Sequence, residues 1–174
     1  METARLWAGE EVASRIIFTD VAPKNEHISR ARICDLFLDT PECNAHTTAA
    51  DILWSSTPLL TLPRYEYKMC SRMAASILKG ALPKNPEGKR AASELIAVDD
   101  DQYEQFAVKL AAGLSYDKHG KGKGRLSELR RLLYEHRCDS ALFDTKRWVR
   151  DLEGAYELAW HNWVEEKGGD IYLP

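Results

Sequence analysis

Three short apolar runs near the amino end constrain this chain most: Ile16–Phe18, Leu36–Leu38 and Leu59–Leu62. Two segments with helical spacing separate them, one after Pro23 and one after His46. Apolar strand, turn, helix, strand is the order of a parallel sheet with crossover helices, so the expected class is α/β. In such sheets a ligand sits outside the carboxyl ends of the strands. Lys24, His27, Arg30, His46, Thr47, Thr48 and Asp51 all fall just after a strand or in the first turns of the helix beyond it.

Further along the chain the reading predicts a leading helix over residues 1–14, with Trp7, Val12 and Ala13 available for packing. A strand over 15–18 precedes a helix from Asn25 to Cys34, for which Pro23 suits the entry because its missing N–H costs nothing there. Thr47 or Thr48 is placed as the cap of a helix running to about Ser56, and Thr57-Pro58 breaks it. A helix over 67–78, a polar loop over 80–92 and a fourth strand over 94–98 follow. The remainder reads as helical: residues 99–114 behind an acidic first turn, 126–137, and a last helix over 144–166, with a basic flexible loop at 115–124. The last helix carries Trp148, Val149, Leu152, Tyr156, Ala159, Trp160 and Trp163 on one continuous stripe.

Bulk properties narrow the function. At 174 residues the chain suits one domain, here a sheet-bearing part over 15–98 and a helical part over 99–174. A net charge of −3 makes no electrostatic case for nucleic acid. No apolar run approaches the roughly 18 residues of a membrane span. Cys34, Cys43, Cys70 and Cys138 are scattered without a C-x-x-C pair and read as free thiols, with Cys70 and Cys138 in the core.

The polar residues support two readings each. A helix that opens on Thr47 and Thr48 presents free N–H groups and a positive end to an anion, although simple capping is the commoner role. Asp51, one turn on, is placed to accept from sugar hydroxyls or is a solvated acid. Lys24, His27 and Arg30 lie at i, i+3 and i+6, one side of a helix, as a cationic cradle for phosphate or as a solvated face. His27, His46 and Cys43 are too few and too dispersed for zinc. Lys118–Lys123 lacks the glycine spacing and leading strand of a P-loop.

The strings RIIFTDVAPKNEHISR, LDTPECNAHTTAADILWSSTPLLTLP, SRMAAS, ELIA, AVKL and LFDTK resemble the protein O-GlcNAc transferases. The resemblance runs from Arg15 to about Trp163, and its most specific motifs are V-A-P-K-x-E-H-x-x-R and L-D-T-P-x-C-N-x-H-T-T. It implies the Rossmann-like carboxyl-terminal lobe of a GT-B glycosyltransferase, followed by a long carboxyl-terminal helix. It also implies inverting transfer of N-acetylglucosamine from UDP-GlcNAc to serine or threonine of acceptor proteins, with no metal or other cofactor. By resemblance, Ala22 and Arg30 meet the uracil, Lys24 the ribose, and His27 stacks near the base. His46, Thr47 and Thr48 meet the diphosphate, where the two threonines stabilise the leaving group, and Asp51 meets the ribose or sugar. Ala45 and Ala49 stand where the family usually has glycine.

The family's tetratricopeptide region and amino-terminal catalytic lobe are absent from these residues, so the isolated chain is expected to be inactive. That lobe is the expected partner of the tryptophan stripe, and the expected compartment is cytoplasm or nucleus. The alternatives are a non-catalytic UDP-sugar-binding module and an interaction scaffold.

Overall fold

The computed structural model describes residues 1–172. Its sheet is small and parallel. Strand β1 (Phe37–Leu38) pairs with β2 (Leu59–Leu60), and helix α3 (Thr47–Trp54) makes the crossover between them. A parallel bridge from Thr61 to Ile96 extends the sheet by one step, closed by Thr61 N–H to Leu95 O at 3.0 Å and Ala97 N–H to Thr61 O at 2.9 Å. Leu59, Leu60 and Leu62 are buried, as an inner strand covered on both faces requires.

Helices surround this unit. Helix α1 (Glu2–Ala13) leads in, bent at Gly9. Helix α2 (Lys24–Arg30) precedes β1. After β2 come α4 (Met73–Ala81), α5 (Pro86–Leu95) and α6 (Asp100–Ala112), then α7 (Arg125–His136) and α8 (Thr145–Val164). A single apolar cluster ties them together, drawing on Ala49 and Leu53 of α3, Leu78 of α4, Leu95 of α5, Leu110 of α6, and Leu129 and Leu133 of α7. The turn after α7 locks onto the same body: Phe143 meets Trp54 edge-on at 5.0 Å, and Leu142 N–H donates to Gly80 O at 2.9 Å.

Several expectations change. Residues 15–18 form no strand: Ile17 is 83% and Phe18 77% exposed, and among the described residues no strand pairs with them. A strand is stable only when its backbone groups find partners, and apolar content alone supplies none. Trp7 and Val12 are likewise exposed, leaving Ala13 as the buried residue of α1.

The loop expected over 80–92 and the strand over 94–98 are largely α5. Asn85 caps it, its side chain accepting the Gly88 N–H at 2.8 Å, and Pro86 occupies the first turn. Only the single bridge at Ile96 remains of the fourth strand.

The helix from Asn25 shortens to α2 plus a tight 3-10 turn over Ala31–Ile33, and Ile33 and Cys34 face solvent. The helix expected over 67–78 is a 3-10 turn at Met69–Ser71 followed by α4. The expected loop at 115–124 is an antiparallel hairpin of β3 (Ser115–Tyr116) and β4 (Gly122–Lys123). Asp117 holds its turn by accepting the N–H groups of His119 and Lys121. All four cysteines are free; Cys138 is exposed and Cys70 half-buried, so neither is a core thiol. Helix α8 runs the expected length, but it has no buried residue, and Trp160 and Trp163 are 69% and 76% exposed.

Candidate functional site

The segment between β1 and α3 is tied down by several side-chain hydrogen bonds. Asp39 directly follows β1 and is only 3% exposed. Its Oδ1 accepts the Ala45 N–H at 2.7 Å, and its Oδ2 accepts the Thr61 hydroxyl at 2.7 Å. Its carbonyl accepts the Tyr103 hydroxyl at 2.8 Å. Asn44 is buried and binds in two directions, Nδ2 to Thr40 O at 3.0 Å and backbone N–H to Cys70 O at 2.8 Å. Ser71 donates to Pro41 O at 2.9 Å. On the rim, Arg64 bridges Glu42 at 2.8 Å and Asp100. The loop is thereby held at both ends and in the middle, and it delivers the start of α3 in one place.

That start lacks a side-chain cap, as do those of α1, α2, α4 and α7, and differs from the capped helices. The residues flanking α5, α6 and α8 at their amino ends, Asn85, Asp99 and Asp144, each accept a helix N–H with the side chain. At α3 the N-cap is His46, and no side chain makes that bond. The expectation that Thr47 or Thr48 caps the helix is therefore corrected: both lie inside it, as its first two residues. The helix keeps its first N–H groups unsatisfied by side chains, with two hydroxyls beside them, which suits an anion. His46 Nε2 lies 3.5 Å from Cys70 O, so the imidazole leans on the same turn that holds Asn44. Asp51 is half-buried one turn on.

Ala45 and Ala49 both pack inward. Ala49 is fully buried within the apolar cluster, and Ala45 packs against it.

Ala22, Lys24, His27 and Arg30 come from the other side. Ala22 is half-buried in the loop before α2, Lys24 is exposed at the first position of α2, and His27 and Arg30 are half-buried. Arg30 Nη1 donates to Asp20 O at 2.7 Å, which shapes the loop that carries Ala22. The Ser55 hydroxyl donates to Ile28 O, and Thr57 Oγ1 to Ala31 O at 2.8 Å. These bonds join the carboxyl ends of α2 and α3, so Lys24 and Thr47 sit at the opposite ends of their helices. Among the described residues no hydrogen bond or ion pair joins the Lys24–Arg30 set to the His46–Asp51 set.

Asp39, Asn44, Thr61 and Tyr103 escaped the sequence reading. Their partners lie up to 64 positions apart, so no local pattern marks them. The one local hint is an acid directly after an apolar run.

Burial pushes the Asp39 carboxyl above its ordinary value of 3.8, against the opposing hydrogen bonds from Thr61 and Ala45. It also pushes the Tyr103 hydroxyl up to about 12, with the Asp39 charge adding to the effect, so Tyr103 stays a neutral donor. The sign for Asp39 follows from linkage. A carboxyl with a raised folded pKa gives stability that is complete below the unfolded value and is lost as pH rises through the folded one. The stability difference between the parent chain and Asp39→Asn is therefore expected to be larger at about pH 4 than at about pH 7. Urea denaturation at both values measures it, and a pH-independent difference would refute it.

Comparison with known proteins bears on what this geometry serves. The family model described as glycosyl transferase family 41 matches residues 5–152. The chain belongs to that family. This family 41 chain is 39% identical over 147 residues to the probable UDP-N-acetylglucosamine–peptide N-acetylglucosaminyltransferase SEC of Arabidopsis thaliana, covering 84% of this chain and 13% of that protein. It is 35% identical over 147 residues to the UDP-N-acetylglucosamine–peptide N-acetylglucosaminyltransferase of Caenorhabditis elegans, covering 84% and 11%. In fold it matches a mutant of the Thermobaculum terrenum O-GlcNAc transferase with a TM-score of 0.70 at 23% identity, over 92% of this chain and 27% of that one. The family 41 chain thus spans about an eighth of the length of these curated relatives. Among its described residues no helix is long and apolar enough to cross a membrane.

Proposed function

We propose that this chain is the donor-binding part of the carboxyl-terminal lobe of a GT-B protein O-GlcNAc transferase. It binds UDP-GlcNAc for inverting transfer of N-acetylglucosamine to serine or threonine hydroxyls. The observation that carries the reading is the β1–α3 unit: a loop pinned on buried Asp39 delivers an uncapped helix start flanked by His46, Thr47 and Thr48. The names of the relatives point to the same donor.

In this reading the diphosphate lies on the α3 amino end. Attack of the acceptor hydroxyl at the anomeric carbon breaks the bond to the UDP oxygen, and negative charge develops on the diphosphate. Fixed N–H groups and the Thr47 and Thr48 hydroxyls stabilise that charge more in the transition state than before it. Asp51 accepts from ribose or sugar hydroxyls. Lys24 approaches the ribose, His27 stacks near the base, and Arg30 with the Ala22 backbone meets the uracil. This chemistry calls on no metal. The acceptor hydroxyl and the groups that orient it belong to the rest of a full-length transferase, so this chain binds donor without turnover. The exposed tryptophans of α8 supply an apolar face for packing against that remainder. Cytoplasm and nucleus are the compartments in which such a transferase meets its acceptors.

Isothermal titration with UDP tests the reading. Saturable binding is expected, weakened about tenfold, or about 1.4 kcal/mol, by Lys24→Ala and by Arg30→Ala. Absence of binding at millimolar UDP would exclude the donor site. Glycosylation of a peptide by this chain alone would overturn the division of labour.

A further inference from the structure

Cys43 and Cys70 meet at the foot of the same loop. Asn44 N–H donates to Cys70 O at 2.8 Å, which lays the residue after Cys43 against Cys70. Cys70 Sγ is 4.0 Å from Glu42 O, the carbonyl just before Cys43, so Cys70 flanks Cys43 with its carbonyl on one side and its sulfur on the other. Both are reduced in this structure, with Cys43 exposed and Cys70 half-buried. Cys34 and Cys138 are exposed but have no such neighbour among the described cysteine contacts.

We infer that Cys43 and Cys70 are a reversible disulfide site, formed by exchange with a low-molecular-weight disulfide. Two cysteines laid side by side by a backbone hydrogen bond at the adjoining residue can reach bonding geometry by side-chain rotation. Exchange begins at the exposed sulfur. The Cys43 thiolate attacks one sulfur of the small disulfide, forming a mixed disulfide and releasing one small thiolate. The Cys70 thiolate then attacks the Cys43 sulfur, the Cys43–Cys70 bond forms, and the second small thiolate leaves. Two electrons pass from the protein sulfurs to the small disulfide, and the two protons end on the released thiols.

Desolvation in the turn pushes the Cys43 thiol up, the adjacent Cys70 thiol adds to this, and the Lys68 ammonium opposes it. Exchange therefore speeds up as pH rises, because the thiolate is the attacking form. The product bond ties the string that leads into α3 to the turn before α4, at the place where Asn44 and His46 already lean on Cys70 O. The bond itself does not depend on the donor-site reading, and its detection needs no nucleotide.

The test uses the full chain carrying Cys34→Ser and Cys138→Ser, so that only this pair remains. Incubated with oxidised glutathione at about pH 8.5, near the ordinary thiol pKa, it is expected to lose both thiols without a glutathione adduct. Peptide mapping should show a Cys43–Cys70 crosslink, and the melting temperature should rise and return with dithiothreitol. In the further variant Cys70→Ser, Cys43 should keep glutathione as a persistent mixed disulfide. Two separate glutathione adducts on the pair, crosslinks between chains, or two thiols still free would each overturn the inference. UDP titration of the crosslinked form is a separate reading: failure to bind in both redox states would count against the donor site and leave the disulfide standing.

Discussion

Asp39→Ala is expected to lower the melting temperature by about 6–12 °C, from a loss of about 3 kcal/mol at 2–4 °C per kcal/mol for a chain of this size. The substitution removes two acceptors at once. The Ala45 N–H and the Thr61 hydroxyl, both at 2.7 Å from the carboxylate, lose their partner in a place water does not reach freely. Each stranded donor costs roughly 1–3 kcal/mol. Removing the desolvation cost of the carboxylate returns part of that, and so the sum stays below the upper limit.

The same change frees residues 40–45 and the start of α3, so UDP affinity should fall even at temperatures where the variant remains folded. Asp39→Asn should do less. Its amide oxygen still accepts the Ala45 N–H, and its NH2 group donates to the Thr61 oxygen. Thermal melts and UDP titrations of the two variants decide it: an Asp39→Ala chain within about 0.5 kcal/mol of the parent would show that the pinned loop is incidental.

Gly88→Ala and Gly154→Ala should move stability in opposite directions, although both replace glycine inside a helix. Propensity alone favours alanine by about 1 kcal/mol at each site. At Gly154 in α8 nothing lies within 4 Å of the added methyl, so the gain should appear in full. At Gly88 the methyl would stand 1.9 Å from the Pro83 carbonyl oxygen and 2.9 Å from its carbon. That is backbone, which cannot swing aside, and Gly88 also gives its N–H to the Asn85 cap. Overpacking of roughly 1–3 kcal/mol and a disturbed cap of roughly 1 kcal/mol outweigh the propensity gain, for a net loss of about 2 kcal/mol. Denaturant melts of the two variants give the signs directly, and a stabilised Gly88→Ala would mean the 83–88 turn relaxes without cost.

The helices show where local information suffices. Asp99 and the acids after it, with Tyr103, Phe106 and Leu110 at helical spacing, predict α6, and the structure places α6 there. The leucines of α7 and the aromatic stripe of α8 are equally plain, because period and propensity agree within each helix. Residues 80–92 show where it misleads. Two prolines and two glycines read as a loop, yet Asn85-Pro86 is a helix start, and Gly88 is needed by the helix for its approach to Pro83.

The candidate site divides in the same way. The string from His46 to Asp51 and the Lys24–Arg30 spacing could be read as groups suited to an anion. Asp39, Asn44, Thr61 and Tyr103, which put that string in position, could not.

Taken alone, the sequence determined the parallel β1–α3–β2 unit, helices α6 to α8 and the family, because those depend on residue types within short windows and on long matching strings. Tertiary structure alone decided which apolar run is a strand. Leu59–Leu60 has β1 beside it and α3 and α6 packed against it, whereas Ile16–Phe18 has no pairing partner among the described residues and stays exposed. It also decided that an acid after β1 is buried, that two cysteines far apart in the chain are brought side by side, and that three tryptophans face outward. Each is a relation between distant segments, and pairing, burial and contact exist only once those segments are brought together.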